Sequence, residues 1–199
     1  MRFGFELTEH AGQEGDRVTI YTFRKFGCEL TEIEKFWRKE AVQTAPDHDS
    51  LKLRLYQDIL KEHNFSHYKC HQGSDRWFRD ESDATDPDGI NAEALCASIP
   101  AKDKKDLPKP YPRLRLYCFR MRRILIAGNG GVKKDQRIQD DPVLTTAWKD
   151  VRYVMKRVHK RIEWTHDLNF EEYTTQSGHV EEDPFILEGD HDFDPLDSL

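Results

Sequence analysis

Arg113, Arg115 and Tyr117 stand at alternate positions of one short segment, with Phe119 next in the same phase and Arg120 beside it. A guanidinium neutralises a phosphate and offers it paired donors, and an aromatic ring stacks on a base, so these types on one surface suit a nucleic acid. Lys133-Lys134 add a second basic group, and Lys149, Arg152, Lys156 and Lys160 a third at helical spacing. Taken singly, each set reads as well as a solvated edge or helix face. Their adjacency in the chain favours a shared anion-binding surface.

The elements that must carry them follow from periodicity. Leu114, Leu116 and Cys118 alternate with the polar set, the period-two signature of a strand with one buried face and one open face. Arg120-Met121-Arg122 reads as a tight connection into a second, more deeply buried strand, Arg123–Ala127, which Gly128-Asn129-Gly130-Gly131 is expected to end. Asp140-Asp141-Pro142 has the form of a helix start, a carboxylate cap followed by proline at the first helical position. Leu144, Ala147, Trp148, Val151, Met155, Val158 and Ile162 then recur at helical spacing.

Upstream, Phe3–Leu7 and Val18–Phe23 read as a hairpin around a polar turn. Thr31 and Glu34 form a capping box that opens a helix to about residue 42, and a second helix is expected over 49–63. Residues 76–79 and 92–98 read as short strands, and the proline- and lysine-rich 100–112 as a loop. Pro184–Gly189 is a short apolar patch able to pair as an edge strand. The expected fold class is α+β: an antiparallel sheet carrying two N-terminal helices, then a basic C-terminal helix and an acidic tail. Residues 1–166 are expected to form one domain, with 167–199 a partly disordered extension.

Charge is divided along the chain. The net charge of −6 comprises 31 basic and 37 acidic residues, yet 167–199 contain eleven acids and no Lys or Arg, which leaves the rest at 31 − 26 = +5. Residues 102–161 alone hold 18 basic and 6 acidic residues, a local excess of +12. No apolar run approaches the ~18 residues of a membrane span, and the N-terminus lacks a signal-peptide core. Four scattered cysteines, Cys28, Cys70, Cys96 and Cys118, fit reduced thiols, so a cytoplasmic setting is expected.

Other constellations are weaker. His63, His67, Cys70 and His71 have spacings that zinc ligands use, but Asn64 and Ser66 favour a helix end there, and no metal or other cofactor is expected. The Gly128–Gly131 run with Lys133 lacks the spacing of a phosphate-binding loop. Cys118, inward on its strand, reads as core rather than nucleophile.

The strand LRLYCFR, the strand RILIAGNGG, the VKK after it and the basic helix that follows resemble the RelE/HigB-like toxins of bacterial type II toxin–antitoxin systems, over about residues 76–162. The resemblance implies a small RelE-like α+β domain that cleaves messenger RNA on the ribosome without a metal, neutralised by a helix-turn-helix antitoxin. Some relatives inhibit gyrase instead. Cleavage by the RNA's own 2′-hydroxyl needs a group to take or orient that proton, a cation beside the developing phosphate charge, and a donor to the leaving oxygen. By the resemblance Arg115, Tyr117, Lys133 and Lys134 are the catalytic candidates. Arg113, Arg120, Arg76, Arg79, Lys149, Arg152 and Lys156 are the expected RNA contacts. Relatives carry an arginine on the strand before the hairpin, where this chain has Ala92–Ser98 without one. Arg76 and Arg79 are the nearest substitutes, and a non-catalytic member that binds nucleic acid or protein is the alternative.

Overall fold

The computed structural model describes residues 3–12, 18–62, 78–80, 92–96, 113–121, 124–134, 137–166 and 185–189. Two strands, β1 (Phe3–Ala11) and β2 (Thr19–Lys25), open the chain as the expected antiparallel hairpin. Three short helices follow: α1 (Glu32–Arg38), α2 (Glu40–Gln43) and α3 (His48–Leu53), the last continuing as π-helical turns over Arg54–Glu62. Then come β3 (Phe78–Asp80), β4 (Glu93–Leu95), the long pair β5 (Arg113–Met121) and β6 (Ile124–Lys133), helix α4 (Pro142–His166) and β7 (Phe185–Gly189).

The two helix-start signals act as read. Thr31 Oγ1 accepts from the Glu34 N–H and the Glu34 carboxylate accepts from the Thr31 N–H, closing the capping box of α1. Asp141 Oδ1 accepts from the N–H groups of Val143 and Leu144 at 2.9 and 3.0 Å, so α4 begins at Pro142. The first expected helix is instead broken at Lys39, whose backbone is extended between α1 and α2.

The seven strands among the described residues form one sheet in the order β3-β4-β5-β6-β2-β1-β7. It is mixed, not antiparallel as expected, because β2 pairs in parallel with β6 from Thr19↔Ile124 to Thr22↔Ala127. Those two strands lie far apart in sequence, so no local pattern specifies their direction. The apolar run Ile124–Ala127 does show a strand buried on both faces, as parallel partners usually are. β7 adds to β1 as the expected edge strand, bringing part of the acidic extension into the sheet.

Both faces of the sheet are covered. On one, Phe5, Phe23, Tyr117, Phe119, Ile124 and Ile126 pack against Leu144, Ala147, Val151, Val154 and Val158 of α4. On the other, Ile20, Leu114, Leu116, Cys118, Leu125 and Ala127 pack against Ile33, Phe36, Val42, Leu51, Leu55 and Ile59. The result is a three-layer helix–sheet–helix arrangement, and the expected open face of the hairpin is closed by α4. Alternation along β5 explains this: a Tyr and a Phe in phase with the arginines give that face enough apolar area to bind a helix.

Candidate nucleic-acid interface

β4 ends against Leu116 and the paired stretch of β2 ends at Thr22 against Ala127, so Arg113–Arg115 and Gly130–Lys133 form a two-stranded ribbon with no registered strand partner on either outer edge among the described residues. A ribbon of this kind exposes backbone groups on both edges. The N-terminal helical layer meets each edge with a side chain. Asp47 Oδ2 accepts from the Leu114 N–H at 2.9 Å, and Lys39 Nζ donates to the Gly130 carbonyl at 2.5 Å and to Asn129 Oδ1 at 2.7 Å. Asn129 Nδ2 donates to Glu32 Oε2 at 2.7 Å, and Lys35 Nζ bonds the other Glu32 oxygen at 2.6 Å.

The glycine-rich run does not end β6 but bulges inside it. Leu116 opposes Gly130 while Cys118 opposes Ala127, so Tyr117 faces two residues, Gly128 and Asn129. The bulge admits only glycine at position 130, where a Cβ would stand 1.7 Å from the Arg115 carbonyl oxygen. Beyond it Arg113 is registered opposite Lys133, and in an antiparallel pair opposed residues share a face. Both are half-buried; Lys134, next in the chain, is exposed, as is Arg137. The free end of the ribbon therefore gathers Arg113, Lys133 and Lys134, and Arg137 follows three residues on in the chain.

The other predicted residues are dispersed. Arg115 and Tyr117 are 3% and 0% exposed beneath α4, with Arg115 Nη1 donating to the Leu114 carbonyl at 3.1 Å. Arg120 stands seven residues along β5 from Arg113, roughly 24 Å at ~3.4 Å per residue, too far to share a phosphate. It is bonded to both oxygens of Glu93 and lies 4.2 Å from the Phe78 ring centroid, a structural role. On α4 the basic stripe is not a solvated face: Arg152 is 5% exposed over the Trp148 ring at 4.5 Å, and Lys149 and Lys156 are half-buried. Arg79 lies in the edge strand β3, whereas Arg76 falls outside the described residues.

Electrostatics mark Lys39 and Asp47, which sequence reasoning missed. Burial pulls the Lys39 ammonium below its ordinary range, opposed by the Glu32 and Asp141 carboxylates. Burial pushes the Asp47 carboxyl up, opposed by the Leu114 N–H and by Arg115 and Arg113. Sequence reasoning ran one helix through Lys39 to about residue 42 and gave no sign of either, because no propensity at Lys39 announces the break. Cys118 is fully buried and its thiol is pushed well up, which suits core and not nucleophile.

Among the described residues no group of three or more His, Cys, Asp or Glu is placed to hold a metal, and His63, His67, Cys70 and His71 lie outside them. Among the same residues no helix is long and apolar enough to cross a membrane. No protein-family description, curated protein or solved structure matches this chain.

Proposed function

We propose that the chain is a RelE/HigB-like toxin that engages messenger RNA on the ribosome at the basic end of the β5–β6 ribbon. The observation that supports this is the register of Arg113 opposite Lys133 on one face, with Lys134 exposed next in the chain and Arg137 exposed three residues on. Four cations within a few residues of one ribbon end form a phosphate-binding surface, and a cation there is what cleavage by the 2′-hydroxyl needs at the developing charge. A helix-turn-helix antitoxin would neutralise the toxin by covering this end.

A second reading, a non-catalytic RNA-binding module, is favoured by the burial of Arg115 and Tyr117. Under α4 neither touches a ligand seated on the ribbon end, so acid–base assistance from Tyr117 requires that helix to move.

The test expresses the chain and an Arg113→Ala/Lys133→Ala variant at equal level, follows growth, maps messenger-RNA 5′ ends and measures binding of single-stranded RNA by the purified proteins. Arrest with new cuts, both lost in the variant, supports the endoribonuclease. RNA binding without cuts supports the module. Arrest with blocked supercoiling and neither cuts nor RNA binding points to gyrase and overturns the RNA site.

A further inference from the structure

We infer that Asn129, held between Lys39 and Glu32, is a positioning residue that decides which face of the ribbon presents Lys133. Its functional consequence rests on the RNA reading above, but its structural content does not. Before the bulge, Ile124 and Ile126 of β6 point to the α4 face and Leu125 and Ala127 to the other. Strict alternation from Ile126 would carry residues 128, 130, 132 and 134 onto the α4 face. Arg113 would then oppose Val132, and Lys133 would point into the layer of α1 and α2.

The extra residue reverses that phase. Val132 instead packs with the α1 layer, and a Cβ on Gly131 would meet Leu144 of α4 at 3.3 Å, so Lys133 joins Arg113 on the α4 side. A bulge is costly unless its irregular backbone groups find partners. Here one amide meets that need: Asn129 Oδ1 accepts from Lys39 Nζ and from the Gly130 N–H at 2.8 Å, while Nδ2 donates to Glu32. Lys39 Nζ reaches round to the Gly130 carbonyl as well. Acceptor and donor ends of the amide are both read, by a cation and an anion, so neither leucine nor aspartate replaces it.

Disulfide trapping reads the register without reference to RNA, since a bridge requires opposed Cβ atoms about 3.5–4.5 Å apart. In the full chain, an Arg113→Cys/Lys133→Cys pair should cross-link, identified by mass spectrometry against the native cysteines, and an Arg113→Cys/Val132→Cys pair should not. Adding Asn129→Ala, or Asn129→Asp where the alanine variant does not fold, should lose most of the first cross-link and raise the second.

In the RNA assay, Lys133→Ala should flatten the dependence of log affinity on log salt by about 0.7. The same substitution in an Asn129→Ala background should change nothing further. An unaltered cross-link pattern in both folded Asn129 variants overturns the inference. A shifted pattern in a protein that does not bind RNA keeps the inference and removes the function proposed above.

Discussion

Asp47 and His10 are residues whose burial sets a sign on pH dependence. Asp47 is fully buried; Oδ2 accepts from Leu114, while Oδ1 has no hydrogen-bond partner among the described residues. Its carboxyl is pushed up by burial, so the folded chain holds that proton to higher pH than the unfolded one. The associated stability is full below the unfolded value near 3.8 and is lost as pH rises through the folded value. Asp47→Asn, which keeps an acceptor for the Leu114 N–H and removes the charge, should therefore be at least as stable as the parent at pH 7. Its advantage should shrink towards acid. Asp47→Ala should lose about 1–3 kcal/mol by stranding that N–H. Urea denaturation at two pH values decides it: an Asn variant as weak as the Ala variant at pH 7 would mean that attraction to Arg113 and Arg115 outweighs burial. His10 carries the opposite sign. The Tyr56 hydroxyl accepts from Trp37 Nε1 at 3.0 Å and lies 2.7 Å from His10 Nε2, an arrangement completed by a neutral imidazole accepting the phenol proton. Burial lowers the imidazole, opposed by Glu34, so its contribution is present above 6.5 and is lost as pH falls through the folded value. An NMR titration of His10 should show a midpoint below 6.5, and one above it would refute the neutral assignment.

Between elements, the contact that fixes α4 on the sheet is the one to break. A Cβ at Gly128 would stand 2.4 Å from Val151 Cγ2 and 3.0 Å from the Phe23 ring, so β6 and α4 approach at a distance only glycine permits. Gly128→Ala should cost about 1–3 kcal/mol by overpacking. Val151→Ala on top of it should recover part of that loss, a coupling of about 0.5–3 kcal/mol, because it removes the atom struck. Additive losses in denaturation would show that the Phe23 ring, not Val151, sets the spacing. This contact also shows where the sequence was legible. The capping box of α1, the start of α4 and the β5–β6 pairing depend on residues a few positions apart or on one turn, and each formed as read. Gly128–Gly131 was misread because Gly and Asn are turn residues by local preference. Their real partners are side chains of α1 and Lys39, 90 and more positions away. The parallel β2–β6 pair is hidden for the same reason. Arg115 and Tyr117 were assigned to an open face because alternation distinguishes two faces without showing that a later helix covers one.

At the scale of the molecule, sheet order decides how the divided charge is arranged. β1 runs antiparallel to β2 and β7 antiparallel to β1, with Gly189 opposite Phe3, while β6 runs parallel to β2. Gly189 therefore stands at the same end of the sheet as Lys133, three strand spacings away, or about 14 Å at ~4.8 Å each. Residues 190–199 carry Asp190, Asp192, Asp194 and Asp197 and no Lys or Arg. Ten residues can span up to ~33 Å, more than twice that separation. Four negative charges tethered within reach of Arg113, Lys133 and Lys134 would compete with a polyanion for them, since a tether raises their local concentration. A chain ending at Gly189, which keeps β7, should bind single-stranded RNA more tightly than the parent at low salt. The gain should fade as screening shortens the reach of the charges. A full-length variant with the four aspartates changed to asparagine should behave like the truncated chain, since length and backbone are kept and only charge is lost. If truncation tightens binding and the asparagine variant does not, the segment obstructs the ribbon end by its bulk. If neither changes affinity at low salt, the acidic segment lies away from the basic end, and the charge division serves solubility alone.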